Sequence, residues 1–193
     1  MIKYLFWDFD GVIVNSEMIY FNLWKQILPS NLSFSPRDLH GKTNNQFLDN
    51  LRYKFSEKQK KDLVALKEQK ILSIISNESI DLLLKELIIY SCKEKIINYI
   101  ISNNSKEVIC EFLKNNNIEK YFNKIIVPSS KFIPKPDPAM YIYASSGIEK
   151  SKVLVIEDSE LGITSARSAN LKVVKFDYNF IEKSVNKILQ YFN

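Results

Sequence analysis

The chain has 193 residues, 46% of them hydrophobic and 25% charged, with a formal charge of +5 and an isoelectric point near 9.0. These bounds describe one globular domain, or one core carrying an insertion, and exclude a disordered chain. The positive excess is dispersed lysine, densest at Lys58, Lys60 and Lys61, without the arginine clusters of a nucleic-acid-binding surface, and no apolar run reaches the roughly 18 residues of a membrane span.

The first predicted element is a strand over about Lys3 to Phe9, within Tyr4-Leu5-Phe6-Trp7-Asp8-Phe9-Asp10-Gly11-Val12. Its continuous apolar character fits a central strand buried on both faces. Ser16 reads as the N-cap of a helix with Ile19, Tyr20, Leu23, Trp24 and Ile27 on one face, stopped by Pro29 and Ser30. Helical patterns follow at about Thr43 to Phe55, Glu57 to Ile71 and Glu78 to Ile89. The period then changes. Ile96–Ile101 reads as a strand, Lys106–Lys114 as a helix capped by Ser105, and Lys124–Val127 as a short strand. Pro138–Ser146 is a helix with Asp137 as N-cap and Gly147 as its stop. A strand at Val153–Ile156, a helix at Leu161–Ala169, a strand at Lys172–Phe176 and a helix at Ile181–Tyr191 complete the chain. Strands alternating with helices predict an α/β fold with a parallel sheet covered on both faces, whose ligands bind at the carboxyl ends of the strands.

Polar residues recur at those strand ends. Asp8 and Asp10 follow the first strand, Ser102 and Asn103 the second, Lys135 lies in Pro134-Lys135-Pro136-Asp137-Pro138 after the third, and Glu157 and Asp158 follow the fourth. A parallel sheet brings all of them to one edge. Two buried acids side by side cost several kcal/mol unless a cation pairs with them. A carboxylate can attack phosphorus, a second acid can protonate the leaving oxygen, and Mg²⁺ takes hard oxygen ligands from carboxylates and phosphate. The Ser102 hydroxyl with the Asn103 N–H could hold a phosphoryl oxygen, and Lys135 adds positive charge where negative charge accumulates. With Asp10 protonated, Asp8, Glu157 and Asp158 are balanced by Lys135 plus a divalent cation; without the metal the site would repel phosphate. Taken singly, Ser102 also fits a turn, Lys135 a surface loop and Glu157-Asp158-Ser159 a helix cap. Their joint order points to an active site.

Asp8-Phe9-Asp10-Gly11-Val12, Ser102-Asn103, Lys135-Pro136 and Glu157-Asp158-Ser159-Glu160-Leu161-Gly162-Ile163 resemble the four ordered motifs of the haloacid dehalogenase-like hydrolases, in particular the beta-phosphoglucomutase-like and phosphoglycolate phosphatase-like branch. The resemblance implies a three-layer Rossmann-like core of residues 1–14 and 78–193, with a small helical cap of residues 15–77 inserted after the first strand. It implies Asp8 as nucleophile, Asp10 as general acid/base, and Ser102, Asn103 and Lys135 as phosphate-binding residues. Mg²⁺ would be held by Asp8, the Asp10 backbone carbonyl, Glu157 and Asp158. The cap would close over the site and exclude water. Asn15 and Asn170 depart from the usual Asp and Gly, and the segment from Ser76 to Lys95 lacks the usual hinge glycines and proline.

The expected activity is hydrolysis of a small phosphorylated metabolite. A sugar phosphomutase using the same core, and a non-catalytic binding or regulatory protein on this scaffold, are the alternatives. A 2-haloacid dehalogenase would need no acid at position 10, and a phosphonate-cleaving enzyme would need a cap lysine forming a Schiff base, for which Lys42 is weak support. His40-Gly41-Lys42-Thr43-Asn44 resembles the cap loop that reaches the site; the lone histidine reads more readily as an exposed loop residue than as a substrate contact. Cys92 and Cys110 lack partners at metal spacing and read as buried, reduced thiols. With no signal peptide in an N-terminal stretch interrupted by Asp8 and Asp10, the expectation is a cytoplasmic monomer or weak dimer with no nucleic-acid or membrane partner.

Overall fold

A computed structural model describes residues 1–192. Five strands, β1 (Tyr4–Trp7), β2 (Ile97–Ile101), β3 (Lys124–Ile126), β4 (Val153–Glu157) and β5 (Lys172–Lys175), form one all-parallel sheet in the order β3-β2-β1-β4-β5. Side chains alternate across a strand, so β1 feeds two cores. Leu5 and Trp7 join Ile100, Leu154 and Ile156 on one face, while Phe6 joins Tyr99 and Val155 on the other. Phe6 stacks on Tyr99, with centroids 5.2 Å apart. Each large side chain buried this way contributes roughly 1.5–3 kcal/mol.

Helices α4 (Leu82–Lys93), α5 (Lys106–Asn115) and α8 (Ile181–Leu189) cover the first face through Leu84, Leu87, Val108, Phe112, Val185 and Ile188. Helices α6 (Ala139–Ala144) and α7 (Glu160–Ser168) cover the second through Met140, Tyr141, Ala144 and Ala166. Three layers result, as expected. Between β1 and β2 the chain forms α1 (Glu17–Ile27), α2 (Asn44–Asn50) and α3 (Glu57–Ile75). These helices share a small apolar cluster centred on Trp24, Leu28, Phe47 and Leu48, while Ile71 and Ile75 of α3 join the main core. No helix among the described residues is long and apolar enough to cross a membrane.

Several local expectations needed correction. The Ser16 and Ser105 side chains make no cap hydrogen bond; both hydroxyls go to tertiary partners. Asp137 Oδ1 does accept from Ala139 N at 2.8 Å, but Pro138 occupies the N-cap position. Helix α2 ends at Asn50, where Leu51 turns extended and packs on the Trp24 cluster. Helix α4 starts at Leu82 because Asp81 accepts from Leu83 and Leu84 N, and because Asn116 holds Glu78 O and Ile80 N. Both cysteines are free but half-buried rather than buried.

Candidate active site

The chain leaves β1 through a tight loop in which Gly11 takes φ +73° and donates to Val14 O at 2.8 Å. Only glycine fits there. A Cβ on Gly11 would lie 1.8 Å from Asp158 Oδ2, and one on Gly162 would lie 2.0 Å from Glu157 Oε1. The two acids therefore occupy space that missing side chains provide.

Lys135 is the hub. Its buried ammonium stands 2.9 Å from Asp8 Oδ1 and 2.6 Å from Ile101 O, and also donates to Glu157 Oε1. Burial opposes charge on this lysine, yet Asp8 and Glu157 beside it push its pKa up to about 12. Burial, and then Asp8, push Glu157 up to about 8. Asp8 is raised as well, by burial and by Asp158, with Lys135 working against them. The Tyr141 hydroxyl donates to the same Glu157 oxygen at 2.8 Å.

Asp10 sits on the cavity side. Ser16 Oγ donates to its Oδ1 at 2.6 Å, and Asn104 Nδ2 to its Oδ2 at 2.9 Å. Burial and the Asp8 charge push its carboxyl up to about 6. Ser102 is buried, and its Oγ accepts from Asn104 N at 3.1 Å. Asn103 ties the loops together: Oδ1 accepts from Lys135 N at 2.8 Å, and Nδ2 donates to Lys135 O at 3.2 Å and to Gly41 O at 3.0 Å.

Asp8, Glu157 and Asp158 each offer a carboxylate oxygen within 4.8 Å of the others, a hard-oxygen set suited to a divalent cation. Asp158 Oδ1 is buried and has no hydrogen-bond partner among the described residues. An acceptor in that state fits a cation ligand. His40 Nε2 lies 3.0 Å from the other oxygen, Asp158 Oδ2, so the lone histidine reaches the site rather than solvent alone. Its hydrogen bond to Asp158 raises its pKa against the effect of burial.

The cavity above these groups has a volume of about 350 Å³, within the range of small-molecule sites. Asp8, Asp10, Ser102, Asn103, Lys135 and Asp158 line it from the sheet edge; Tyr20, Trp24, Phe47 and Lys67 line it from the helical insert. Residues 5–176 match the family described as haloacid dehalogenase-like hydrolase. The chain belongs to the haloacid dehalogenase-like hydrolases.

Within this family it is 23% identical to the phosphorylated carbohydrates phosphatase of Thermotoga maritima over 86% of the chain and 80% of that protein. It is 24% identical to the beta-phosphoglucomutase of Bacillus subtilis over 90% of the chain and 82% of that protein. The crystal structure of beta-phosphoglucomutase from Clostridium difficile has the same fold, with a TM-score of 0.76 at 22% identity, covering 98% of this chain and all (100%) of that one.

All seven residues singled out from the sequence of this hydrolase gather at the carboxyl edge of the sheet. Others were missed. Asn104 and Tyr141 carry no spelling that separates them from loop and core residues. Lys67 left a signal: it stands on the face of α3 that carries Val64, Ile71 and Ile75, where an apolar residue is expected.

Proposed function

We propose that this hydrolase is a Mg²⁺-dependent phosphatase acting on a small phosphorylated metabolite. An Asp8 carboxylate oxygen attacks phosphorus, and the bond from phosphorus to the leaving oxygen breaks as Asp10 delivers its proton there. A water then attacks the aspartyl-phosphate, gives its proton to Asp10, and inorganic phosphate leaves with Asp8 restored. Ser102, Asn103 and Lys135 hold the phosphoryl oxygens in this reading. Asp8, the Asp10 carbonyl, Glu157 and Asp158 would hold Mg²⁺, which supplies charge stabilisation for the phosphoryl group. Residues 15–77 act as the cap and residues 1–14 with 78–193 as the core.

The observation that carries the reading is the pairing of Asp8, 2.9 Å from Lys135, with Asp10, whose carboxyl is pushed up to about 6 in the same cavity. A nucleophile must be ionised, and the Lys135 ammonium beside Asp8 favours its charged form; a general acid must bring a proton, and the raised carboxyl of Asp10 keeps the protonated form within reach. The test is phosphate release from a panel of phosphorylated metabolites with and without Mg²⁺, using Asp8→Asn as control. Metal-dependent release that vanishes in the variant is expected; release at the wild-type rate from Asp8→Asn overturns the mechanism. The likeness to a beta-phosphoglucomutase supports a second reading, in which the phosphoenzyme returns its phosphate to a sugar. Turnover that requires a bisphosphate activator would favour it.

A further inference from the structure

Lys67 takes no part in the chemistry above, yet it is 2% exposed and lines the cavity. Its Nζ stands 3.1 Å from Glu68 Oε1 and 4.2 Å from the centroid of the Tyr20 ring. An ammonium has three donors, so donor capacity remains for a ligand after the Glu68 bond. Successive helical side chains diverge, so the Lys67–Glu68 contact needs Glu68 to be held from outside α3. It is. Asn44 Nδ2 of α2 donates to Glu68 Oε1 at 3.0 Å, and Ser105 Oγ, across on the core, donates to Glu68 Oε2 at 2.8 Å. Three elements thus fix one carboxylate against one buried cation.

The consequence is a cap-side wall with no uncompensated buried charge. The other cationic side chains lining the cavity outside the phosphate site are His40, 3.0 Å from Asp158 Oδ2, Lys175, paired with Glu160 at 2.6 Å, and half-buried Lys42, whose Nζ donates to the backbone Asp38 O at 2.9 Å. Glu17 and Asp177 line the same mouth with opposite sign. The remaining polar groups on this side are neutral, among them the Asn44 and Asn104 amides and the Tyr20 hydroxyl.

We propose that Glu68 is a specificity-determining residue: by neutralising Lys67 it sets the site to accept phosphate monoesters with an uncharged, hydroxyl-bearing leaving group. Monoesters carrying a second phosphate or a carboxylate are disfavoured. Lys67 then offers its remaining donors to leaving-group hydroxyls. The inference rests on the phosphatase reading for the position of the monoester.

A charge cycle tests it. Wild type, Glu68→Gln, Lys67→Met and the double variant are compared on fructose 6-phosphate and fructose 1,6-bisphosphate, as phosphate release and as calorimetric binding to the same four proteins carrying Asp8→Asn. The ratio between the two sugars is read within each protein, so a partly misfolded variant still reports. Wild type is expected to prefer the monophosphate. Removing the Glu68 charge should shift the ratio about tenfold toward the bisphosphate, the Coulomb effect of one unscreened cation nearby. Lys67→Met should shift it the other way, and the double variant should return near wild type. A wild-type preference for the bisphosphate, a ratio that does not move through the cycle, or binding of neither sugar overturns the inference and leaves the phosphatase reading standing if other monoesters are hydrolysed. Absence of release from every monoester, with binding ratios that follow the cycle, overturns the phosphatase reading and upholds the specificity assignment.

Discussion

Lys135 Nζ stands 2.9 Å from Asp8 Oδ1 and at the same time donates to Glu157, so one ammonium holds together two buried carboxylates from two strands. Neither acid is more than 6% exposed. Their mutual repulsion is what the lysine offsets where the ends of β1 and β4 lie side by side.

Removing that ammonium leaves buried, uncompensated charge. Lys135→Met is expected to cost about 3–5 kcal/mol of stability in metal-free protein, the usual loss when one partner of a buried pair is taken away. Saturating Mg²⁺ should restore part of it. Urea denaturation with and without Mg²⁺ measures both, and a variant as stable as wild type without metal would contradict the assignment.

The acids also give the metal-free protein a pH dependence of defined sign. Asp10 is pushed up to about 6 and Glu157 to about 8, and Asp8 is raised too, so the folded state binds protons more tightly than the unfolded chain. Their contribution is full below the unfolded carboxylate range and is lost as pH rises through about 6 and about 8. His40, also raised, adds a loss of the same sign, while Lys135 titrates near 12, above the window. Mg²⁺ requires deprotonated ligands. Its stabilisation, read as the rise in Tm, should therefore be larger at pH 8 than at pH 6; an equal or smaller rise at pH 8 would count against a metal at the three acids.

Ser16 donates to Asp10 at 2.6 Å, and that hydrogen bond holds the carboxyl lower than burial alone would. In the general-acid role proposed for it, Asp10 must carry its proton, so kcat/KM for phosphoenzyme formation should fall as pH rises past about 6. Ser16→Ala should move the falling limb to higher pH. Comparing the two proteins on one substrate cancels the substrate's own titration, and a limb that stays in place would remove Ser16 from the acid's environment.

What could be read in the sequence followed from periodicity and strand ends. The apolar runs of β1, β2 and β4 place Asp8, Ser102 and Glu157 at one edge wherever a parallel sheet forms, and that requires no tertiary detail. The serines were harder. Ser16 and Ser105 stand where helix caps stand, but Asp10 and Glu68 compete for their hydroxyls and win. His40 and Gly41 depend on how the insert docks: the His40 ring meets Asp158, and Gly41 lies against Ser159, where a Cβ would come within 2.8 Å. No local spelling encodes such a contact. Lys67 was legible in principle, as a charge on an apolar helical face, and was absorbed instead into the general lysine excess.

Tyr141 illustrates the same limit and yields a clean test. Its hydroxyl donates to Glu157 Oε1 at 2.8 Å, and its ring centroid lies 5.4 Å from Lys135 Nζ. Phenylalanine keeps the ring and removes the hydroxyl alone. Leaving a buried carboxyl oxygen one partner short costs about 1–3 kcal/mol. Partners that orient a metal ligand are typically worth tenfold or more in metal affinity, and Tyr141 holds Glu157 from outside the cavity lining. Tyr141→Phe should therefore lower the urea midpoint and raise the Mg²⁺ concentration for half-maximal activity about tenfold. A packing role alone would lower the midpoint and leave the Mg²⁺ requirement untouched, and that result would detach Tyr141 from the metal site.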